Sequence, residues 1–528
     1  MAKTTTVIIG AGSGGGALAA RLSEDKDQQV ILVEAGPDYE ELALVPEDVR
    51  DAGEMSVQKH DWGLKAYFLE PQDAREAMPY ARGRIVGGSS AVNAAIAERA
   101  TREDLDTWVA AGNPEWSYEK TLPYFMRLEN DLDFPDAPGH GSSGPVPIKR
   151  HFEENWAAGV RAFAQACAQR GFPRSDDANA DSATGYGPTP RNLLGEEELR
   201  ASSLLTYLAQ ARQRPNLSIR AETLARRVVF KGTTAVGVEV EHDGMVETIR
   251  ADRVVLAGGA MHTPHLMMLS GIGPREVLER HGIEPVIANE AVGQNFQDHP
   301  FAPMVALLKE KTDRNGVRAR LKYSTGTDDL VDDMMIFAAV LDPATMNIPA
   351  DTKGRKALMM NNLLAKPRSV GWITLSSPDP KVQPELHVNF LSHPSDIERL
   401  KGSLRLSWDM ITSSPMAEEI EEICFLDADT IADDAKLEAY IRGLASTSLH
   451  AAGTCRMGPA GDPTAVVDQH LAVHGAENLW IADASVMVNV TTGLTNLTAY
   501  MIGERLADWL KNGTDSPTDE TELVSVAP

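Results

Sequence analysis

Six residues near the N-terminus, Gly10-Ala11-Gly12-Ser13-Gly14-Gly15, have the types and spacing to hold phosphates. In a G-x-G-x-x-G run the first glycine permits a tight turn, the second lets backbone approach a pyrophosphate, and the third allows a helix to pack closely on a strand. Amides at the start of the following helix then face the phosphates. Glu34 comes roughly 20 residues later, where a carboxylate accepts hydrogen bonds from a ribose. Glycines and acid together fit an adenine dinucleotide and leave NAD and FAD equally open, since both present the same half to this surface.

Such residues need a strand, turn, helix and strand to position them. Thr5–Ile9 is a β-branched run suited to a strand buried on both faces, Ala17–Ser23 reads as a helix, and Val30–Val33 as a second strand. That order is a βαβ unit and implies a parallel sheet. Further on, Arg200–Gln213 reads as a helix, Arg226–Val240 as a hairpin turning at Lys231-Gly232-Thr233, and Val254–Leu256 as a buried strand closing on a second glycine turn, Ala257-Gly258-Gly259. The Pro-, Gly- and Ser-rich stretch Pro135–Pro147 marks an exit from the first domain near residue 150. From Phe301 to about His450, segments such as Trp372–Leu375 alternate between Pro and Asp-Pro turns, as in an antiparallel sheet. Leu479–Ile481 reads as a short strand, and Thr498–Lys511 as a helix beneath the cofactor.

The chain has 528 residues, 43% of them hydrophobic, enough for two or more domains. A formal net charge of -26 repels nucleic acid and anionic membrane surfaces alike. Cys167, Cys424 and Cys455 form neither a disulfide framework nor a zinc-ligand spacing, so no metal is expected. No export signal and no twenty-residue apolar window stand out, and a cytoplasmic location is expected.

Two longer motifs carry a family resemblance. Arg82-Gly83-Arg84-Ile85-Val86-Gly87-Gly88-Ser89-Ser90-Ala91-Val92-Asn93, completed by Asp106, and the run from Gly259 to Gly273 resemble the two signatures of the glucose-methanol-choline (GMC) oxidoreductases, a family of flavoproteins. Val292–Pro300, His450–Thr454 and Ile481–Met487 add to the similarity. The resemblance implies an α/β, Rossmann-like FAD-binding domain assembled from 1–150, 190–300 and 451–515. An α+β substrate domain with an antiparallel sheet would come from 151–189 and 301–450, leaving an acidic, disordered tail at 516–528.

It also implies FAD rather than NAD. Beyond Gly10, Gly12, Ser13, Gly14, Gly15 and Glu34, the expected cofactor residues are Ala35 and, from the first signature region, Arg84, Gly87, Gly88, Ser89, Asn93 and Ala94. Val228, Ala257, Gly258, Asp483 and Ala484 complete them. Val92 stands where some relatives carry a histidine tethered to FAD, so the cofactor is expected to be non-covalent.

Alcohol oxidation needs a base for the hydroxyl proton and an acceptor for the hydride, and the resemblance assigns the base to His450, with hydride going to flavin N5. His262, His265 and His299 are read as structural. Relatives carry a second polar partner, His or Asn, eleven residues before the basic residue that here is Arg505, and that position is Leu494. Asn496, two residues on, is the catalytic alternative if the register shifts. Leu449 offers no aromatic surface to a quaternary ammonium, which disfavours choline. Met334, Met335, Met359 and Met360 are read as core rather than pocket. The expected reaction is oxidation of a small aromatic or apolar primary alcohol, with oxygen or another compound as electron acceptor. The alternative is a hydroxynitrile-lyase-type enzyme using the same histidine.

Overall fold

The computed structural model describes residues 3–513 except 54, 57–58, 70–76, 182, 310–311, 313–315, 329 and 344–353, so the tail at 516–528 lies outside the described residues. The N-terminal run forms the strand Thr4–Ile9 at the centre of a five-stranded sheet. Across the sheet the order is Leu217–Arg220, Gln28–Val33, Thr4–Ile9, Arg253–Leu256 and Leu479–Ile481. Every pairing is parallel, and the apolar runs Val7-Ile8-Ile9 and Val254-Val255-Leu256 are buried, as a sheet covered on both faces requires. The carboxyl ends of these strands open on one crevice, the place where such sheets bind ligands.

The first helix, Ser13–Leu22, starts four residues ahead of the expected Ala17. Glycines are poor helix formers, but close packing decides here. A Cβ on Gly15 would lie 2.0 Å from the Gly10 carbonyl oxygen, and one on Gly14 would lie 2.1 Å from that of Ala482. The closing helix, Thr495–Asn512, crosses the first so tightly that a Cβ on Gly503 would sit 2.3 Å from the Gly14 oxygen. The fully buried Glu504 carboxylate ties the two, accepting from Arg21 Nε (2.9 Å), Arg127 Nε (2.7 Å) and the Tyr207 hydroxyl (2.5 Å).

Two local expectations change. The helix expected over Arg200–Gln213 is reduced to a π turn at Leu204–Leu208 followed by Ala209–Ala211. Its start is taken by the strand pair Leu199–Arg200 with Leu193–Leu194, and Arg200 is drawn away to the carbonyls of Val49 (3.1 Å) and Asp48 (3.2 Å). The hairpin at Lys231–Thr233 is joined by a third strand, Met245–Arg250.

A second core lies behind a seven-stranded sheet in which every pairing is antiparallel. Its central strands are Pro300–Leu308, Ala357–Leu364 and Met334–Leu341. Period-two alternation divides them. Met334, Ile336, Leu358 and Met360 enter the core over the helices Ala158–Gln169 and Pro394–Thr412, while Phe301, Phe337, Met359 and Leu363 face the other way. Leu64, Ala66, Phe68 and Tyr80 also join this core, although the chain before residue 150 was expected in the first domain. Strand Lys65–Tyr67 explains it, since it pairs with Glu385–His387, which in turn pairs with Trp372–Thr374.

Candidate active site

A cavity of about 1170 Å³ connects the crevice of the parallel sheet to the face of the antiparallel one that is turned away from the second core. That exceeds the roughly 300–1,000 Å³ of a pocket for a drug-sized ligand and suits a dinucleotide with a small substrate beside it.

At the crevice end the wall is made by Gly10, Gly12, Ser13, Gly14, Glu34, Ala35, Gly88, Ser89, Asn93, Ala94, Ala257, Gly258, Asp483 and Ala484. A Cβ on Gly12 would meet only Gly88 Cα at 3.9 Å, so the glycine leaves open space, while Gly88, at φ +51°, comes so close that its own Cβ would lie 2.7 Å from Gly12 Cα. Glu34 accepts from the amides of Ala11 (3.0 Å) and Gly36 (2.9 Å), and burial pushes its pKa up to about 7. Asp483 accepts from the Gly259 amide (2.9 Å) and the Thr263 hydroxyl (2.6 Å), clamping the second glycine turn to the last strand.

Four expected cofactor residues lie off this wall. Gly15 is spent on the helix-to-strand contact, and Gly87, at φ +106°, makes the turn with its α-carbon against Ala91. Arg84 points its guanidinium at the Trp62 ring, 5.2 Å from the centroid. Val228 is buried with its amide donating to Ser270 Oγ (2.8 Å), and the wall beside it is Thr223, Leu224 and Ala225. Asn496 is also displaced from its expected role. It takes a hydrogen bond from Ser13 Oγ (2.8 Å) at the junction of the two helix N-termini, which places it with the first glycine turn. Its Nδ2 is buried without a partner among the described residues, at the end of the cavity where helix N-termini favour anions. A dinucleotide fits this combination of open glycines, orphaned amide donor and buried carboxylate.

At the other end stands His450. The loop before it is held rigidly. Asp298 Oδ1 accepts from the His450 amide (2.8 Å), and its Oδ2 accepts from Tyr80 (2.5 Å) and the Thr447 hydroxyl. Arg82 donates to the Leu449 carbonyl (2.7 Å), holding that residue at φ +63°. His450 Nδ1 lies 3.1 Å from His299 Nδ1, the rings edge to face. Burial, then the nearby His299 and Arg82, hold the His450 pKa well below 6.5, so the ring is neutral at pH 7. His299 is fully buried and pushed down to about 4 by that burial, although the backbone at Ala365 and Thr491 favours a proton on it.

His299, expected to be structural, is thus the group nearest the candidate base. The signal was present in Asp298-His299-Pro300, but nothing in spacing connects it with a residue 151 positions away. His262 and His265 line the cavity wall. His262 pairs with Gln383 Oε1 (3.0 Å) and packs on Trp62, and burial lowers the two histidines to about 4 and about 3.

Leu494, directly before the closing helix, is buried on the same wall against Met335, Phe337 and Leu363. Of the four methionines, Met334 and Met360 are core, Met335 backs Leu494, and Met359 lines the cavity.

Comparison with protein families places this arrangement. The N-terminal GMC oxidoreductase model matches residues 5–301, and the C-terminal one matches 367–503. The chain belongs to the GMC oxidoreductase family. A 5-(hydroxymethyl)furfural oxidase of Methylovorus sp. (strain MP688) is 35% identical over 95% of this chain and 97% of the relative. An oxygen-dependent choline dehydrogenase of Brucella ovis is 32% identical over 96% and 95%. Among solved structures, pyridoxine 4-oxidase from Mesorbium loti superimposes with a TM-score of 0.87 at 28% identity, covering 96% of this chain and 99% of that one. This GMC oxidoreductase is a flavin-dependent alcohol oxidase or dehydrogenase. Among its described residues no helix is long and apolar enough to cross a membrane.

Proposed function

We propose that this GMC oxidoreductase oxidises the CH-OH group of a small aromatic or apolar primary alcohol, with His450 as the base and FAD held without a covalent bond. The observation that carries the reading is the Nδ1-to-Nδ1 contact of 3.1 Å between His450 and His299 at the apolar end of the cavity.

One proton occupies that contact. The backbone at Ala365 and Thr491 favours a proton on His299, which we place on Nε2, the nitrogen that does not face His450. His299 Nδ1 is then a lone pair, and His450 donates its Nδ1–H to it. This leaves His450 Nε2 as a lone pair that takes the hydroxyl proton of the substrate. As His450 becomes an imidazolium, the same Nδ1–H bond to His299 strengthens. Bound FAD supplies the hydride acceptor. Phe301, Phe337, Leu363, Leu449 and Leu494 surround the reacting end with apolar surface, which excludes water and admits a flat ring. Val92 lines the cavity where a tethering histidine would stand, and valine has no atom to form the linkage.

Anaerobic mixing with benzyl alcohol tests the reading. Bleaching of the flavin's visible band is expected, slowed in His450→Ala by about 10²–10⁴-fold. Cyanohydrin cleavage without bleaching would instead establish the lyase chemistry. Flavin that stays in the supernatant when the protein is precipitated by acid shows non-covalent binding, and flavin in the pellet disproves it.

A further inference from the structure

Two adjacent asparagines on the strand Ala357–Leu364 have opposite surroundings. Asn362 faces the second core and is saturated: its Oδ1 accepts from Ser403 and Ser407 (both 2.7 Å), and its Nδ2 donates to the Met360 carbonyl (3.1 Å). Asn361 faces the cavity, and its buried Oδ1 has no partner among the described residues. The sheet cannot supply one. The residues opposite it are Pro303 and Phe337, and its same-face neighbours along the strand are Met359 and Leu363. Of the cavity-lining side chains on the three central strands, Asn361 is the only polar one. An amide oxygen sealed in apolar surroundings without a partner is unfavourable, and turning it to a ligand's hydrogen-bond donor in the cavity removes the penalty.

Its position sets where that donor must be. Leu363 pairs with Phe301, Phe301 pairs with Ser446, and the short strand Ser446–Thr447 leads directly to His450, so this edge of the sheet marks the reacting end. Leu363 also packs with Leu494 there. Asn361, two residues back on the same face, lies about 7 Å along the strand from Leu363. A six-membered ring together with its two para substituents nearly spans that distance.

We infer that Asn361 selects alcohols whose flat ring carries a hydrogen-bond donor on the side opposite the carbinol, a specificity that rests on the alcohol oxidation proposed above. The holoenzyme is assayed by anaerobic flavin reduction with 4-hydroxybenzyl alcohol and with 4-methylbenzyl alcohol, which have nearly the same shape. The wild type is expected to prefer the hydroxyl compound in kcat/KM by about tenfold or more. In Asn361→Leu that ratio is expected to fall to about one or below, because an apolar side chain of similar size favours the methyl group. Asn361→Val serves as the second variant if the leucine disturbs FAD loading. Equal use of both alcohols by the wild type, or a preference that survives in the loaded variant, overturns the assignment of Asn361 while leaving the oxidation reading intact. If neither alcohol bleaches the flavin while benzyl alcohol does, the assignment of Asn361 falls alone, and if benzyl alcohol fails as well the oxidation reading falls with it.

Discussion

Replacing His299 by Phe separates its part in proton transfer from its part in packing. The His299 ring is fully buried, so phenylalanine fills nearly the same volume, and among the described residues Nε2 makes no full hydrogen bond that the substitution would break. What disappears is the acceptor 3.1 Å from His450 Nδ1. A hydrogen bond to an ionised group is worth about 1.5–3 kcal/mol, and His450 is ionised only after it has taken the substrate proton. At 1.36 kcal/mol per tenfold, the loss slows flavin reduction by about 10- to 150-fold. Since the interaction strengthens only toward the transition state, kcat and kcat/KM should fall together with KM nearly unchanged. Anaerobic stopped-flow reduction at saturating alcohol measures the rate constant, with flavin content confirming a loaded enzyme. His299→Gln, which brings an amide oxygen on a flexible stem, should recover part of the loss. A loaded Phe variant reduced within about twofold of the wild-type rate would refute the tautomer argument.

Because burial holds His450 well below its ordinary pKa, the base stays neutral as pH falls from about 8 to about 6, and kcat/KM should be flat over that range. An acid limb centred near 6.5 or above would contradict it. Gly88→Ala should purify without flavin, since its Cβ would lie 2.7 Å from Gly12 Cα in a backbone at φ +51° that alanine disfavours by roughly 1–2 kcal/mol. A normal flavin absorbance would show that the cradle tolerates the methyl group. Glu504→Gln strands Arg21 and Arg127 around a neutral amide, at a cost of about 3–5 kcal/mol read by thermal or urea denaturation. Arg127 and Arg21 hold the folded pKa of Glu504 low against its burial, so its contribution is present above the unfolded value of about 4.3 and fades as pH falls through the folded one. The variant should therefore lose less stability on acidification than the wild type.

Local chemistry made the parallel sheet legible. Thr4–Ile9, Gln28–Val33 and Arg253–Leu256 are short apolar runs next to glycine turns, a combination that few other structures tolerate. The reading failed where long-range pairing overrode local preference. Leu199–Arg200 could not be seen as a strand because its partner is a two-residue segment and its driving force is the burial of one guanidinium. Likewise, the strand Lys65–Tyr67 joins the second core through Glu385–His387, more than 300 residues away, which no periodicity within residues 1–150 reveals.

The same distinction separates the two ends of the cavity. The dinucleotide end is built from backbone: at Gly10, Gly14, Gly36 and Gly83 a Cβ would come within 2.4 Å of another residue's main chain, so residue type follows from steric necessity and a motif reports it. The substrate end is built from side chains on a sheet face, where Phe301, Phe337, Met359, Asn361 and Leu363 are bound only by alternation and volume. A different side chain at any of these positions keeps the sheet and alters the ligand. An adenine dinucleotide was therefore readable from the glycines, its identity as FAD only from the longer family motifs, and the substrate from neither. Asn496 shows the same effect in miniature, for a displacement of two residues from Leu494 at a helix start carries the side chain from the apolar substrate wall to Ser13 and the phosphate turn. On a helix, residues at i and i+2 do not share a face, so a register shift there exchanges one site for the other rather than bringing the two together.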